Sequence, residues 1–152
     1  MLISKKINDA VNQQIGNELG ASLQYVAIAA HFDGEALPQL AAHFYKQAEE
    51  ERDHAMRFVK FIVDTDGKVV IPAVEAPKHK FASAEEAVKL SLDWEVEVTQ
   101  QIHKLVDLAK KTVLLRLHRR FEDPGASPAA TIHRESIQGC ALARAVRSAA
   151  EG

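Results

Sequence analysis

The sequence predicts an all-α protein, a four-helix bundle in which one long crossover separates the second helix from the third. Three observations predict it. Apolar residues recur at steps of three and four over three long stretches, roughly 5–33, 38–66 and 83–111. Between the second and third, the stretch from Lys68 to Phe81 contains Pro72 and Pro77 and cannot be helical throughout. Composition agrees: of 152 residues only 6% are aromatic, with 7 Gly and 5 Pro, which suits helices better than an all-β fold.

The first helix, Lys5 to Asp33, carries Ile7, Val11, Ile15, Ser22, Val26, Ala29 and Phe32 on its stripe. Gly16 and Gly20 each weaken it by about 1 kcal/mol relative to Ala. Their spacing either admits a closely packed neighbouring helix or is incidental. Asp33-Gly34-Glu35-Ala36-Leu37-Pro38 reads as a turn. The second helix, Pro38 to Asp66, presents Leu40, Phe44, Phe58, Phe61, Ile62 and Thr65, and Asp66-Gly67 stops it. A helix of about 28 residues is roughly 42 Å long. Some 15 residues in extended form reach about 50 Å. The connection can therefore return along the whole bundle and leave the second and third helices parallel. Ser83 reads as an N-cap and Glu86 as its capping-box partner. The third helix continues through Val88, Leu92, Val98, Ile102, Leu105 and Ala109, and beyond Lys111 its pattern blurs. A weak last helix is expected from Ala129 to Ala149, after the break at Pro124-Gly125-Ala126-Ser127-Pro128.

Length and a 47% hydrophobic content are those of a single domain, 1–152, with a sizeable core. No run of about 18 apolar residues offers a membrane span. The polar start MLISKKINDAVNQQ lacks the apolar centre of a secretory signal, and a lone cysteine, Cys140, fits a reducing cytoplasm. A net charge of −2 does not suggest a nucleic-acid partner. The cluster Arg116, His118, Arg119 and Arg120 has no interleaved aromatics for base stacking. The charge average hides a seam. Residues 1–111 hold 11 Lys and 2 Arg against 17 acids, whereas 112–152 hold 6 Arg and no Lys against 4 acids.

The stripes contain an anomaly. Three residues beyond Ile15, Glu18 lands on the apolar face, with Tyr25 two turns further along. On the second helix, Phe44, Gln47, Glu51, His54 and Phe58 put a Glu-x-x-His pair on the apolar side. On the third, Val88, Ser91, Glu95, Val98 and Ile102 do the same for Glu95. A Glu-x-x-His pair alone is most often a solvated pair. An inward carboxylate on each of three helices is different. Each buried charge costs several kcal/mol, and together they repel unless a cation sits among them. No Lys or Arg lies on those stripes at that level. Two divalent ions balance three glutamates, with His54 as a neutral ligand, and the oxygen-rich set suits iron or manganese.

At these residues the chain resembles the non-haem ferritins over about residues 5–111. The matching strings are Asn17-Glu18-Leu19-Gly20-Ala21-Ser22 with Tyr25, and Phe44 to Ala55 with Glu50-Glu51-Arg52-Asp53-His54 at its centre. Gly67-Lys68-Val69 leading to Ile71-Pro72, Phe81-Ala82-Ser83 leading to Glu86-Ala87, and Glu95-Val96-Glu97-Val98-Thr99 complete them. The resemblance implies a ferroxidase centre. Glu18, Glu51 and His54 would hold one iron, and Glu51 would bridge to a second iron bound by Glu95. Tyr25 would stand behind the ligands near the irons, and Glu50 would belong to an accessory third iron site. It also implies oxidation of Fe(II) by dioxygen or peroxide and mineral storage in a 24-subunit shell. No haem is expected: the second Glu-x-x-His of bacterioferritins is absent, and Arg52 stands where their haem-ligating Met would follow the bridging Glu.

Residues 112–152 depart from the family pattern, lacking its fourth-helix Gln or Glu ligand and its run of acids. Two explanations stand side by side. Either a reading-frame shift or recombination occurred near Lys111, or Ala129–Ala149 substitutes as a poorer fourth helix with Glu135 or Gln138 as ligand. The rival functional readings are a non-catalytic helical shell or assembly protein and a rubrerythrin-like peroxidase, though no cysteine-pair iron site accompanies the helices.

Overall fold

Three helices form: α1 Lys5–Gly34, α2 Pro38–Asp64 and α3 Ala84–Phe121. They are seen in a computed structural model that describes residues 3–121, with side chains described through residue 112. The proposed helix Ala129–Ala149, Glu135, Gln138, Cys140 and the side chains of the Arg116–Arg120 cluster lie outside the described residues. No helix among the described residues is long and apolar enough to cross a membrane.

Local signals set the helix ends. Ser4 caps α1, its side chain accepting from the Ile7 amide at 3.2 Å. The turn after α1 is closed by Leu37 N–H donating to the Phe32 carbonyl at 2.9 Å, and Pro38 opens α2, where a missing N–H costs nothing. α2 ends two residues before the expected Asp66. The Thr65 hydroxyl turns back onto the Phe61 and Ile62 carbonyls, Asp66 takes a left-handed φ of 55°, and Gly67 N–H donates to the Ile62 carbonyl at 2.8 Å. Ser83 Oγ accepts from Glu86 N–H at 3.2 Å, and the Glu86 carboxylate closes the box on the Ala82 amide at 2.6 Å. α3 does not stop where its apolar pattern blurs at Lys111 but runs on to Phe121.

α1 is the element against which both others pack. Two apolar clusters result. One gathers Ile7, Val11 and Ile15 with Phe58, Phe61, Ile62, Ile102 and Leu105. The other gathers Tyr25, Ile28 and Phe32 with Phe44, Ala48 and Ala87 near the α1–α2 turn. Both clusters join the start of α1 to the end of α2, or the reverse, so α1 and α2 are antiparallel. Ala87 beside Phe32 and Ile102 beside the first cluster make α3 antiparallel to α1 and parallel to α2, as the long connection implies. Three stripe residues differ from expectation. Val26 is 44%, Leu40 38% and Leu92 61% exposed. Val26 sits one position off the buried Tyr25, and Leu92 lies on the side of α3 turned away from α1.

The crossover follows one row of α1. Asn8 and Asn12 both donate to the Lys68 carbonyl, at 3.0 and 2.9 Å. They also accept from the Lys68 and Val70 amides, at 3.0 and 2.8 Å. Gln24 exchanges two bonds of 2.9 Å with the backbone of Lys78. Between them, a Cβ at Gly16 would overlap the Pro72 ring, and one at Gly20 would touch Trp94 and Val74 at 3.6 and 3.7 Å. Positions 8, 12, 16, 20 and 24 are successive members of an i+4 ridge. Gly16 therefore admits the crossover at Pro72, whereas Gly20 faces both helix α3, at Trp94, and the crossover, at Val74, with room for a Cβ.

This contact yields a sign reversal. Gly16→Ala gains about 1 kcal/mol of helix propensity but forces its methyl into Pro72, at a typical overpacking cost of 1–3 kcal/mol. Urea unfolding is expected to show Gly16→Ala neutral or destabilising in the native sequence and stabilising by about 1 kcal/mol in a Pro72→Ala background. The same sign in both backgrounds would dismiss the Pro72 contact as the reason for glycine.

Candidate metal centre

Between the two apolar clusters the bundle has a polar waist. Glu18 is only 1% exposed, Glu51 6% and His54 8%. α1 brings Glu18 in because it lies on the face that carries Ile15 and Tyr25. Glu51 and His54 come together because a spacing of three places both on the side of α2 between Ala48 and Phe58. One ligand atom from each of the three lies within 4.8 Å of the others, the separation at which a single cation could be shared.

The electrostatics are those of a site lacking positive charge. Gln14 Nε2 donates to Glu18 Oε1 at 2.8 Å, while Glu18 Oε2, equally buried, finds no hydrogen-bond partner among the described residues. Burial pushes the Glu18 carboxyl from its ordinary 4.5 to about 8; the Gln14 bond opposes this, and the facing Glu51 carboxylate adds to it. His54 Nδ1 stands 3.2 Å from Glu51 Oε2, and that hydrogen bond raises the imidazole above its usual range despite its burial. Without a cation, the waist is thus kept neutral by protons. Two carboxylates and an imidazole, with one buried carboxylate oxygen left without a hydrogen bond, suit a divalent ion such as iron or manganese.

The other candidates fall around this trio. Tyr25 is buried, and its hydroxyl donates to Glu95 Oε1; burial first, and then that carboxylate, push its phenol pKa up. Glu95 itself lies outside the trio and is exposed as a residue, while one of its oxygens reaches inward to that hydroxyl. Among the described residues α1 is the only helix with close backbone contacts to α3, and Leu92 and Val96 on its other flank are exposed. Glu50 is half-buried, accepting from Gln47 at 2.8 Å and pairing with Lys46 at 3.2 Å. Gln14 went unnoticed in the sequence. Its only signal is a place one turn before Glu18 on the same face.

The Ferritin-like domain model matches residues 8–113. The chain belongs to the ferritin-like family. Over 105 residues it is 48% identical to ferritin BfrB of Mycobacterium tuberculosis, covering 69% of this chain and 58% of that protein. Over 110 residues it is 36% identical to a bacterial non-heme ferritin of Staphylococcus aureus, covering 72% and 66% respectively. The chain thus spans less than two thirds of these ferritins. Among solved structures it is similar to an open-pore ferritin of the archaeon Archaeoglobus fulgidus, with a TM-score of 0.70 and 28% identity over 98% of this chain and 82% of that one. Among the described residues every regular element of this ferritin-like chain is a helix, with the long connection between α2 and α3 that its sequence implied.

The raised Glu18 and His54 values dictate a pH dependence. Between pH 4.5 and 8 the folded protein holds a proton on Glu18 that the unfolded chain has released, so metal-free stability falls as pH rises. His54 slopes the same way, because stability present below its unfolded value is lost as pH climbs through its raised folded one. Urea midpoints from pH 5 to 8 should decline, on the order of 3 kcal/mol in total, and Glu18→Gln should remove most of the decline. A divalent ion displaces the Glu18 proton, so metal binding should release protons and tighten toward pH 8. A Glu18→Gln protein with the wild-type slope would refute this account.

Proposed function

We propose that this chain is an iron-storage subunit with ferroxidase activity, oxidising Fe(II) as substrate at a dinuclear carboxylate centre. The observation that carries the reading is the buried Glu18–Glu51–His54 group with its unpartnered Glu18 oxygen. Glu18, Glu51 and His54 would hold one iron; Glu51 would bridge to a second, held also by Glu95, which the Tyr25 hydroxyl orients. Glu50 would serve an accessory third site. Bound Fe(II) supplies the electrons that reduce dioxygen or peroxide. The protein supplies two anionic oxygens and an imidazole at fixed positions, releases the waist protons as iron arrives, and excludes bulk water with the flanking apolar clusters. No haem is part of this reading.

Self-assembly into a shell, 24 subunits by analogy with ferritins, fits the exposed apolar side chains Leu23, Val26, Val70 and Ile71 on α1 and the crossover, surface of the kind that subunit contacts cover. A cytoplasmic site of iron storage completes the proposal. The exposure of Glu95 favours one alternative, a shell or assembly protein without the complete oxidation centre.

An anaerobic Fe(II) titration followed by admission of air separates the two. The ferroxidase reading expects saturation near two irons per chain and oxidation faster than in buffer. Single Glu51→Ala and His54→Ala substitutions should slow the initial rate tenfold or more, with helix content by circular dichroism nearly unchanged. Initial rates equal to wild type in both variants would refute the proposed centre, and a wild type no faster than buffer would favour the non-catalytic alternative.

A further inference from the structure

A chain of side-chain amides ties Glu18 to α3. Gln101 Nε2 donates to Glu97 Oε1 at 3.2 Å, while Gln101 Oε1 accepts from Asn17 Nδ2 at 2.8 Å. Gln101 Oε1 also lies 3.5 Å from Gln14 Nε2, and Gln14 Oε1 lies 3.4 Å from Asn17 Nδ2. Gln14 Nε2 ends the chain on Glu18 Oε1 at 2.8 Å. Gln14 is buried, Asn17 and Gln101 are half-buried, and Glu97 is exposed.

The chain has a polarity that its ends enforce. A carboxylate only accepts, so Glu97 requires the NH2 group of Gln101 and leaves the Gln101 carbonyl facing α1. That carbonyl requires donors, which Asn17 and Gln14 supply. Once an ion displaces the Glu18 proton, a flipped Gln14 would set its carbonyl against the Glu18 carboxylate and against the Gln101 carbonyl at once. The amide orientation next to Glu18 is therefore decided two residues away, on another helix.

We infer that Gln14 is a positioning residue for the metal centre: held by Gln101 and Asn17, it occupies Glu18 Oε1 and leaves Oε2 as the single oxygen offered to the ion. The inference rests on Glu18 being a ligand, as proposed above. Occupying one carboxylate oxygen in advance prevents both from closing on the same ion, and so keeps positions open on it for an oxidant. Gln101 makes α3 part of that control without itself touching the ion.

Co(II), added without iron, tests this through its visible ligand-field band, whose intensity falls as coordination number rises. Wild type is expected to bind Co(II) with a distinct band, and Glu18→Ala to lose it. At saturating Co(II), Gln14→Leu should give a weaker, shifted band as Glu18 turns both oxygens to the ion, with affinity lowered tenfold to a hundredfold. Gln101→Leu, at a half-buried position where folding is not at stake, should shift the band in the same direction by less. It should add nothing in a Gln14→Leu background. If Glu18→Ala abolishes binding while Gln14→Leu and Gln101→Leu keep the wild-type band and affinity, the positioning role is overturned and the centre stands. If Glu18→Ala binds Co(II) as wild type does, the centre is overturned and the positioning role with it.

Discussion

Two carboxylates packed against each other at the middle of a helical bundle are the constraint around which the rest of this chain is arranged. Left ionised and alone, Glu18 and Glu51 would each cost several kcal/mol in desolvation and repel one another. The fold compensates with one amide from Gln14, one imidazole from His54 and a proton retained on Glu18. A hydrophobic residue at position 18 would fold more comfortably. The cost is borne at the one level of the bundle where apolar clusters on both sides hold the backbone in place.

α1 carries most of the organisation. Its successive faces receive α2, α3 and the crossover, and it contributes the most deeply buried carboxylate. The polar residues on it, which dilute its apolar stripe, are not surface: Asn8, Asn12, Gln14 and Gln24 are all buried. Each is satisfied by backbone of the crossover or by a side chain at the waist, as buried amides require. Changing any of them to an apolar residue would improve amphipathicity while leaving a backbone group or a carboxylate without its partner.

Much of this was legible in the sequence because it is local. Helix ends at Ser4, Pro38, Asp66-Gly67 and Ser83 depend on capping chemistry within a few residues, and the Glu51–His54 pair depends only on helical spacing. What escaped depends on a partner distant in sequence. Gly16 could announce close approach but not that the approaching element was the crossover, at Pro72. Glu95 reaches the Tyr25 hydroxyl yet shows as exposed, because of the described helices only α1 lies close to α3. The amides of Gln14 and Gln101, 87 residues apart, have no periodic signature that would connect them. α3 outlasts its apolar pattern because no proline or glycine interrupts it before Phe121.

The row from Asn8 to Gln24 works as a rack. One step of four residues along a helix advances about 6 Å. Two residues of extended chain advance about 6.6 Å. The pitches are nearly commensurate, so the backbone of Lys68 and Val70 and then the side chains of Pro72 and Val74 meet α1 at consecutive teeth, with Val69 turned to the first apolar cluster. The crossover's length is therefore fixed tooth by tooth between Asn12 and Gly16. A residue lost or gained between Val70 and Pro72 would put the Pro72 ring out of step with Gly16, although Asn12 would still hold the backbone of Lys68 and Val70.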